Sequence, residues 1–150
     1  MRDTSFDAFF TVVGFAYQAL LLANFIIRWL RPEIELRYGW ITYGLFLLLG
    51  LGSTIYLVSR GAPSKVTIGP ILLLVYAAFG MVVDQVLRLD WRDKPILGVL
   101  IPYVILYQVS NFAWFFPLWQ MRWQWGLPFT VLYVIHTVLN TASHLPRAKG

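Results

Sequence analysis

Five long apolar runs, separated by short polar segments, dominate this sequence of 150 residues. The runs cover about residues 8–27, 39–58, 68–87, 96–119 and 126–144. A helix needs about 20 mainly apolar residues to cross the hydrocarbon core of a bilayer. Strands of a membrane β-barrel alternate between polar and apolar residues, and these runs do not. The sequence therefore predicts an all-α, polytopic transmembrane helical bundle with five spans.

Composition supports a membrane environment. Hydrophobic residues make up 59% of the chain and charged residues 13%, against roughly 45–50% and 25% in soluble proteins. So few charges cannot cover the surface of a soluble domain. Because the connecting segments are short, we expect one integral membrane domain over residues 1–150, in which sequential helices pack antiparallel.

Lys and Arg residues in the short loops predict the orientation. If all five runs cross, the side of the N-terminus carries four of these charges and the other side eight. The four are Arg2, Arg60, Lys65 and Arg122, and the eight are Arg28, Arg31, Arg37, Arg88, Arg92, Lys94, Arg147 and Lys149. The more basic side is predicted to be cytoplasmic. The N-terminus then lies outside the cell and the C-terminus in the cytoplasm, with the protein in the cell membrane. The fifth run is the least apolar, and an interfacial position for it would leave six charges on each side.

Several functions are disfavoured by what the sequence lacks. The chain has no cysteine, which excludes disulfides, thiolate metal sites and a cysteine nucleophile. It has no phosphate-binding glycine loop and neither the G-x-S-x-G nor the H-E-x-x-H motif. The net charge of +5 does not indicate binding of nucleic acid, because basic residues between membrane spans set topology and contact lipid head groups. We expect no cofactor and no metal. The expected partners are membrane lipids, a lipophilic small molecule, and another membrane protein or a second copy of the chain.

Asp84 is an ionisable residue inside a predicted span, where charges are costly and often functional. It lies near the cytoplasmic end of the third run, and Arg88 follows four residues later on the same helical face. Two interpretations stay open. Asp84 forms an interfacial ion pair with Arg88, or it acts as a proton acceptor or a counter-ion for a ligand.

The fifth run carries a polar stripe. His136, Asn140 and His144 are spaced four residues apart and share one helical face. Such a stripe faces either other helices, through hydrogen bonds, or a polar pocket. The two histidines lie roughly 12 Å apart along the helix axis, which is too far for both to bind one metal ion.

Polar residues of different runs fall at overlapping depths, at about 1.5 Å per helical residue. Gln18, Gln108 and His136 fall near the midplane and Asn111 slightly to its outer side, and those on its cytoplasmic side are Asn24, Asp84 and Asn140. We hypothesise that they line one cavity open to the cytoplasm. Candidate ligand-binding residues are Asn24, Gln108, Asn111, Trp114 and Asn140, and candidates for catalysis are Asp84 and His136.

Two short stretches resemble known membrane proteins. Asn111-Phe112-Ala113-Trp114 resembles a motif of small membrane-embedded terpene cyclases, in which a catalytic Glu follows the Trp; here Phe115 stands in that place. Phe115-Phe116-Pro117 and His136-Thr137 resemble pieces of the sterol-isomerase and sigma-2-receptor family. These resemblances cover a handful of residues and imply a lipophilic ligand.

The leading hypothesis is a small multi-pass membrane protein that binds a lipophilic or amphipathic ligand or serves as an accessory subunit of a membrane complex. One alternative is a membrane-embedded enzyme of the isomerase or cyclase type, acting on a lipid or isoprenoid with Asp84 and His136 as acid and base. Another is a subunit of a proton-coupled transporter that uses Asp84.

Overall fold

A computed structural model describes residues 4–89, 94 and 96–143 of the protein. Within these residues the chain is helical and has no strand. Five α-helices and one π-helical turn follow in order: α1 (Thr4–Leu30), α2 (Pro32–Ser59), α3 (Ser64–Met81), the π-turn (Val82–Val86), α4 (Leu97–Met121) and α5 (Trp123–Ser143). The predicted all-α fold is confirmed.

The first two helices extend beyond the apolar runs, and two of the connections are a single residue long. Only Arg31 separates α1 from α2, and only Arg122 separates α4 from α5. The polar segment 28–37 is therefore mostly helical. Pro32 begins α2, a position where proline costs no hydrogen bond and its fixed φ suits a helix.

Among the described residues, four helices are long and apolar enough to cross a membrane: Ser5–Leu30, Arg37–Ser59, Ser64–Val86 and Leu97–Met121. The chain is therefore an integral membrane protein. The fifth helix, α5, has 21 residues, but its polar side chains, among them Gln124, His136 and Asn140, make it less apolar than the other four.

The five helices form a closed ring. Each helix packs against the next in the chain, and α5 packs against α1. Sequential helices are antiparallel, so the first and fifth run in the same direction. Their contacts follow both helices along their length, because Phe15 packs on Phe129 with ring centroids 6.0 Å apart, and Arg28 near the end of α1 contacts Asn140 near the end of α5.

Trp114 of α4 fills the centre of this ring. Its indole is fully buried and stacks on Phe10 of α1, with ring centroids 4.4 Å apart. Two glycines make room for it: a Cβ at Gly14 would lie 3.0 Å from the indole, and a Cβ at Gly69 would lie 3.1 Å from it. These residues bring α1 and α3 close to the central indole.

Several polar residues lie inside the ring beside the aromatic core, and many apolar residues lie on its outer surface. Gln18, Ser110, Asn111 and His136 are fully buried, whereas aliphatic side chains such as Val12 cover the outer surface. In water this arrangement would be unfavourable, since polar groups need hydrogen-bond partners and exposed apolar area is costly. It suits a bundle whose outer surface contacts lipid.

Candidate functional site

A buried hydrogen-bond network joins α1, α4 and α5 at the level of His136. The His136 imidazole bonds to the side-chain oxygen of Gln18 through Nε2 and to the Tyr107 hydroxyl through Nδ1, the latter at 2.6 Å. Gln18 donates from its amide nitrogen to Asn111 Oδ1 (2.9 Å). Asn111 in turn donates to the backbone carbonyl of Tyr107 (2.8 Å), and Thr137 bonds to the Tyr107 hydroxyl (3.0 Å).

The donors and acceptors of this network match one another. A side-chain amide oxygen only accepts, so Nε2 of His136 is protonated and donates the hydrogen bond to the Gln18 oxygen. In a neutral ring Nδ1 then accepts from Tyr107, whose hydroxyl oxygen accepts from Thr137. Both ring nitrogens of His136 are occupied by protein groups. This geometry suits a structural connection between helices and leaves no free nitrogen for a substrate.

A buried ion pair lies at the end of the ring where α1 finishes and α2 begins. Arg28 donates from Nε and Nη2 to the same Glu35 carboxylate oxygen, at 3.0 and 2.6 Å. The two side chains are only 4% and 8% exposed. Nη1 of Arg28 also reaches the side-chain oxygen of Asn140 on α5 (3.5 Å), and the guanidinium carbon lies 5.3 Å from the centre of the Phe25 ring. The pair therefore joins three helices at this end of the bundle.

Asp84 lies in the π-turn and accepts a hydrogen bond from the buried Tyr43 hydroxyl of α2. No ion pair with Arg88 forms in the described part of the chain. The reason is local: the α-helix gives way to the π-turn, and Arg88 adopts a left-handed backbone with φ of 50°, so the two side chains no longer have α-helical i, i+4 spacing. Asp84 and His136 bond to different partners on different helices, and no hydrogen bond or ion pair joins them.

The remaining predicted site residues have different surroundings and partners. Gln108 is half-buried and accepts from the Tyr133 hydroxyl, and Asn24 is buried on α1. Trp114 is at the core, where its indole N–H has no hydrogen-bond partner among the described residues. Asn140 contacts Arg28. His144 lies outside the described residues. The structure thus brings Gln18, Asn111 and His136 together, as their depths predicted, but the space between them is filled by their own hydrogen bonds.

A cleft of about 620 Å³ opens at the opposite end of the bundle from the Arg28–Glu35 pair. We name it the N-terminal cleft. Its lining comes from α1 and from the junction of α4 and α5: Asp7, Ala8, Thr11, Val12, Phe15, Met121, Arg122 and Trp125. The walls are mostly apolar, and one charged side chain of each sign joins them. Its volume is in the range of about 300–1,000 Å³ typical of small-molecule sites.

Local structure explains how these residues meet. Asp7, Thr11 and Phe15 follow one face of α1 at a spacing of four, and the Thr11 hydroxyl donates to the Asp7 backbone carbonyl (2.7 Å). Arg122 has an extended backbone between two helices. Trp125 in the first turn of α5 meets the edge of Phe15, with ring centroids 6.3 Å apart.

The sequence predicts a short loop at Arg122, and the patterns described above do not identify Asp7, Phe15 or Trp125 as ligand-binding residues. The four-residue spacing of Asp7, Thr11 and Phe15 indicates that they share one face of α1. It does not predict that α5 packs against that helix. For Glu35 a signal did exist. Arg28 continues the buried stripe of Gln18, Leu21 and Phe25, and Glu35 lies just beyond the single connecting residue.

Comparison with known proteins gives no family for this chain: no family model matches it, and no curated protein or solved structure is significantly similar to it.

The Arg28–Glu35 pair gives a stability prediction. Glu35→Leu leaves a buried guanidinium without its carboxylate, and we expect it to lower the free energy of unfolding by about 3–5 kcal/mol. The double variant Arg28→Met/Glu35→Leu removes both charges and should come within about 1 kcal/mol of the parent protein. Denaturant unfolding of the detergent-solubilised protein measures both.

Glu33→Leu is the matched control, because Glu33 is 64% exposed and its contact with Arg31 is 3.8 Å long. Such surface pairs contribute about 0–1 kcal/mol. Equal losses for Glu35→Leu and Glu33→Leu would show that the buried pair does not hold this end of the bundle together.

Proposed function

We propose that this protein is a small multi-pass membrane protein that binds an amphipathic, lipophilic ligand in the N-terminal cleft. The observation that carries the proposal is the chemistry of the cleft. Ala8, Val12, Phe15 and Trp125 provide apolar and aromatic walls, and charged groups are confined to Asp7 and Arg122. Ligand sites combine a mainly apolar lining with a few polar groups that fix orientation. A molecule with an apolar body and a polar end matches this lining.

Binding is favoured over acid–base catalysis by the partners of the candidate groups. An enzyme that uses Asp84 and His136 together needs them within about 3 Å of each other or of a shared water. Asp84 is bonded to Tyr43, and both nitrogens of His136 are bonded within the helix network. None of these residues lines the N-terminal cleft.

We further propose that all five helices cross the cell membrane, with the N-terminus outside and the C-terminus inside. Two observations support this topology. Contacts from Phe15–Phe129 to Arg28–Asn140 keep α5 beside α1 along most of its length, so both helices occupy the same depth. The charge asymmetry of the loops favours the same five-span arrangement. The N-terminal cleft then faces the outer leaflet.

The topology predicts which positions are reachable from outside the cell. Because the chain has no cysteine, single cysteines can be placed at Ser59, Glu33 and Ala148, the last of which lies outside the described residues. A membrane-impermeant maleimide should label Ser59→Cys on intact cells. It should label Glu33→Cys and Ala148→Cys only after permeabilisation. Labelling of Ala148→Cys together with Ser59→Cys on intact cells would contradict a fifth crossing.

Filling the cleft tests the binding function. Ala8 is exposed and lines the cleft, so Ala8→Trp should occupy the space that the ligand needs. We expect the purified parent protein to retain lipid or another amphiphile in native mass spectrometry, and Ala8→Trp to reduce retention by about tenfold or more.

Ala23→Trp is the matched control, since Ala23 is an exposed alanine on the same helix away from the cleft. It should retain ligand like the parent protein. Equal retention by Ala8→Trp and the parent protein would exclude the N-terminal cleft as the binding site.

A further inference from the structure

The two charged residues of the N-terminal cleft are opposite in sign and come from separate parts of the bundle. Asp7 lies near the start of α1, and Arg122 lies at the junction of α4 and α5. Asp7 is half-buried and Arg122 is exposed. In the described part of the chain, neither the carboxylate nor the guanidinium has a hydrogen bond or ion pair. Both groups border one cleft without neutralising each other.

We infer that the ligand is a zwitterionic phospholipid, with its ammonium group at Asp7 and its phosphate at Arg122. This inference rests on the proposed function. Arginine presents a planar fork of donors that fits phosphate oxygens, commonly with two parallel hydrogen bonds. An ammonium group carries only donors and pairs with a carboxylate, which only accepts. One zwitterionic head group therefore supplies a partner for both side chains.

Other membrane lipids match the cleft less well. An anionic phospholipid such as phosphatidylglycerol pairs with Arg122 through its phosphate but has no ammonium group to offer the Asp7 carboxylate. An uncharged diacylglycerol leaves both protein charges without partners. Charge complementarity thus selects a head group that carries both signs.

The apolar part of the cleft accommodates the start of the acyl chains. Along α1, the lining descends from Asp7 through Ala8 and Val12 to Phe15, which spans about 12 Å at about 1.5 Å per residue. Val12 is 69% exposed, so this wall of the cleft is continuous with the lipid-facing surface of α1. The head group meets the charges at the mouth, and the chains pass along an apolar surface into the bilayer.

The test uses the full chain in nanodiscs that contain equal amounts of phosphatidylethanolamine, phosphatidylglycerol and diacylglycerol, followed by release and native mass spectrometry. We expect the parent protein to retain phosphatidylethanolamine about tenfold over phosphatidylglycerol, as one charge-assisted contact allows. Asp7→Asn should bring the ratio close to one. Arg122→Gln should lower retention of both phospholipids by about tenfold, and Asp7→Glu should keep the parent preference.

Exposed charges at the other end of the bundle provide controls for non-specific lipid attraction. Glu33→Gln and Arg37→Gln remove one charge of each sign there and should leave the lipid ratio unchanged. Thermal unfolding of each variant separates loss of binding from loss of fold. Asp7→Asn preserves the size of the side chain and removes its charge, whereas Asp7→Glu preserves the charge.

The outcomes distinguish this inference from the proposed function. Retention that is sensitive to Ala8→Trp, with no preference for phosphatidylethanolamine or no effect of Asp7→Asn on the ratio, overturns the zwitterionic assignment alone. A lipid-free dimer that Ala8→Trp dissociates would place a second copy of the chain in the cleft and overturn both. Retention of lipid unaffected by Ala8→Trp would overturn both as well.

Discussion

A polar side chain inside a bundle surrounded by lipid needs a hydrogen-bond partner within the protein, and the structure of this protein depends on one such contact between helices. The bond between Gln18 of α1 and His136 of α5 joins the first helix to the last. Because α5 is the least apolar helix, its polar face favours contact with other helices over contact with lipid. Tyr107 and Asn111 extend this contact to α4, so both ring nitrogens of His136 have partners within the ring.

The two ends of the ring differ in how their charges are used. At one end, Arg28 and Glu35 neutralise each other in a buried pair that also reaches Asn140. At the other end, Asp7 and Arg122 border a cleft and have no partners in the described residues. The interior between them is filled by Trp114 and by side chains that bond to one another. We therefore propose that the ligand binds at the end where Asp7 and Arg122 can pair with it. The bonded side chains of the interior and of the other end hold the helices together.

Much of the helical organisation was predictable from the sequence, and most side-chain partners were not. The lengths of the apolar runs predict the helices, and the rise per residue places Gln18, Asn111 and His136 at similar depths. Neither feature specifies how each helix is rotated about its axis, which decides whether residues at one depth line a cavity or bond to each other. The Asp84–Arg88 spacing predicts an ion pair only for a regular α-helix, and the π-turn removes that premise. Asp7 and Arg122 come to line the same cleft through the closure of α5 on α1, a tertiary contact that local sequence patterns do not encode.

The most direct test of this account is a double-mutant cycle between Gln18 and His136, measured by unfolding in detergent. Gln18→Leu and His136→Leu each leave a buried polar group without its partner, whereas the double variant removes both sides of the contact. We expect a coupling free energy of about 1–2 kcal/mol, with the double variant less destabilised than the sum of the single variants. Additive losses would contradict the claim that this bond closes the ring.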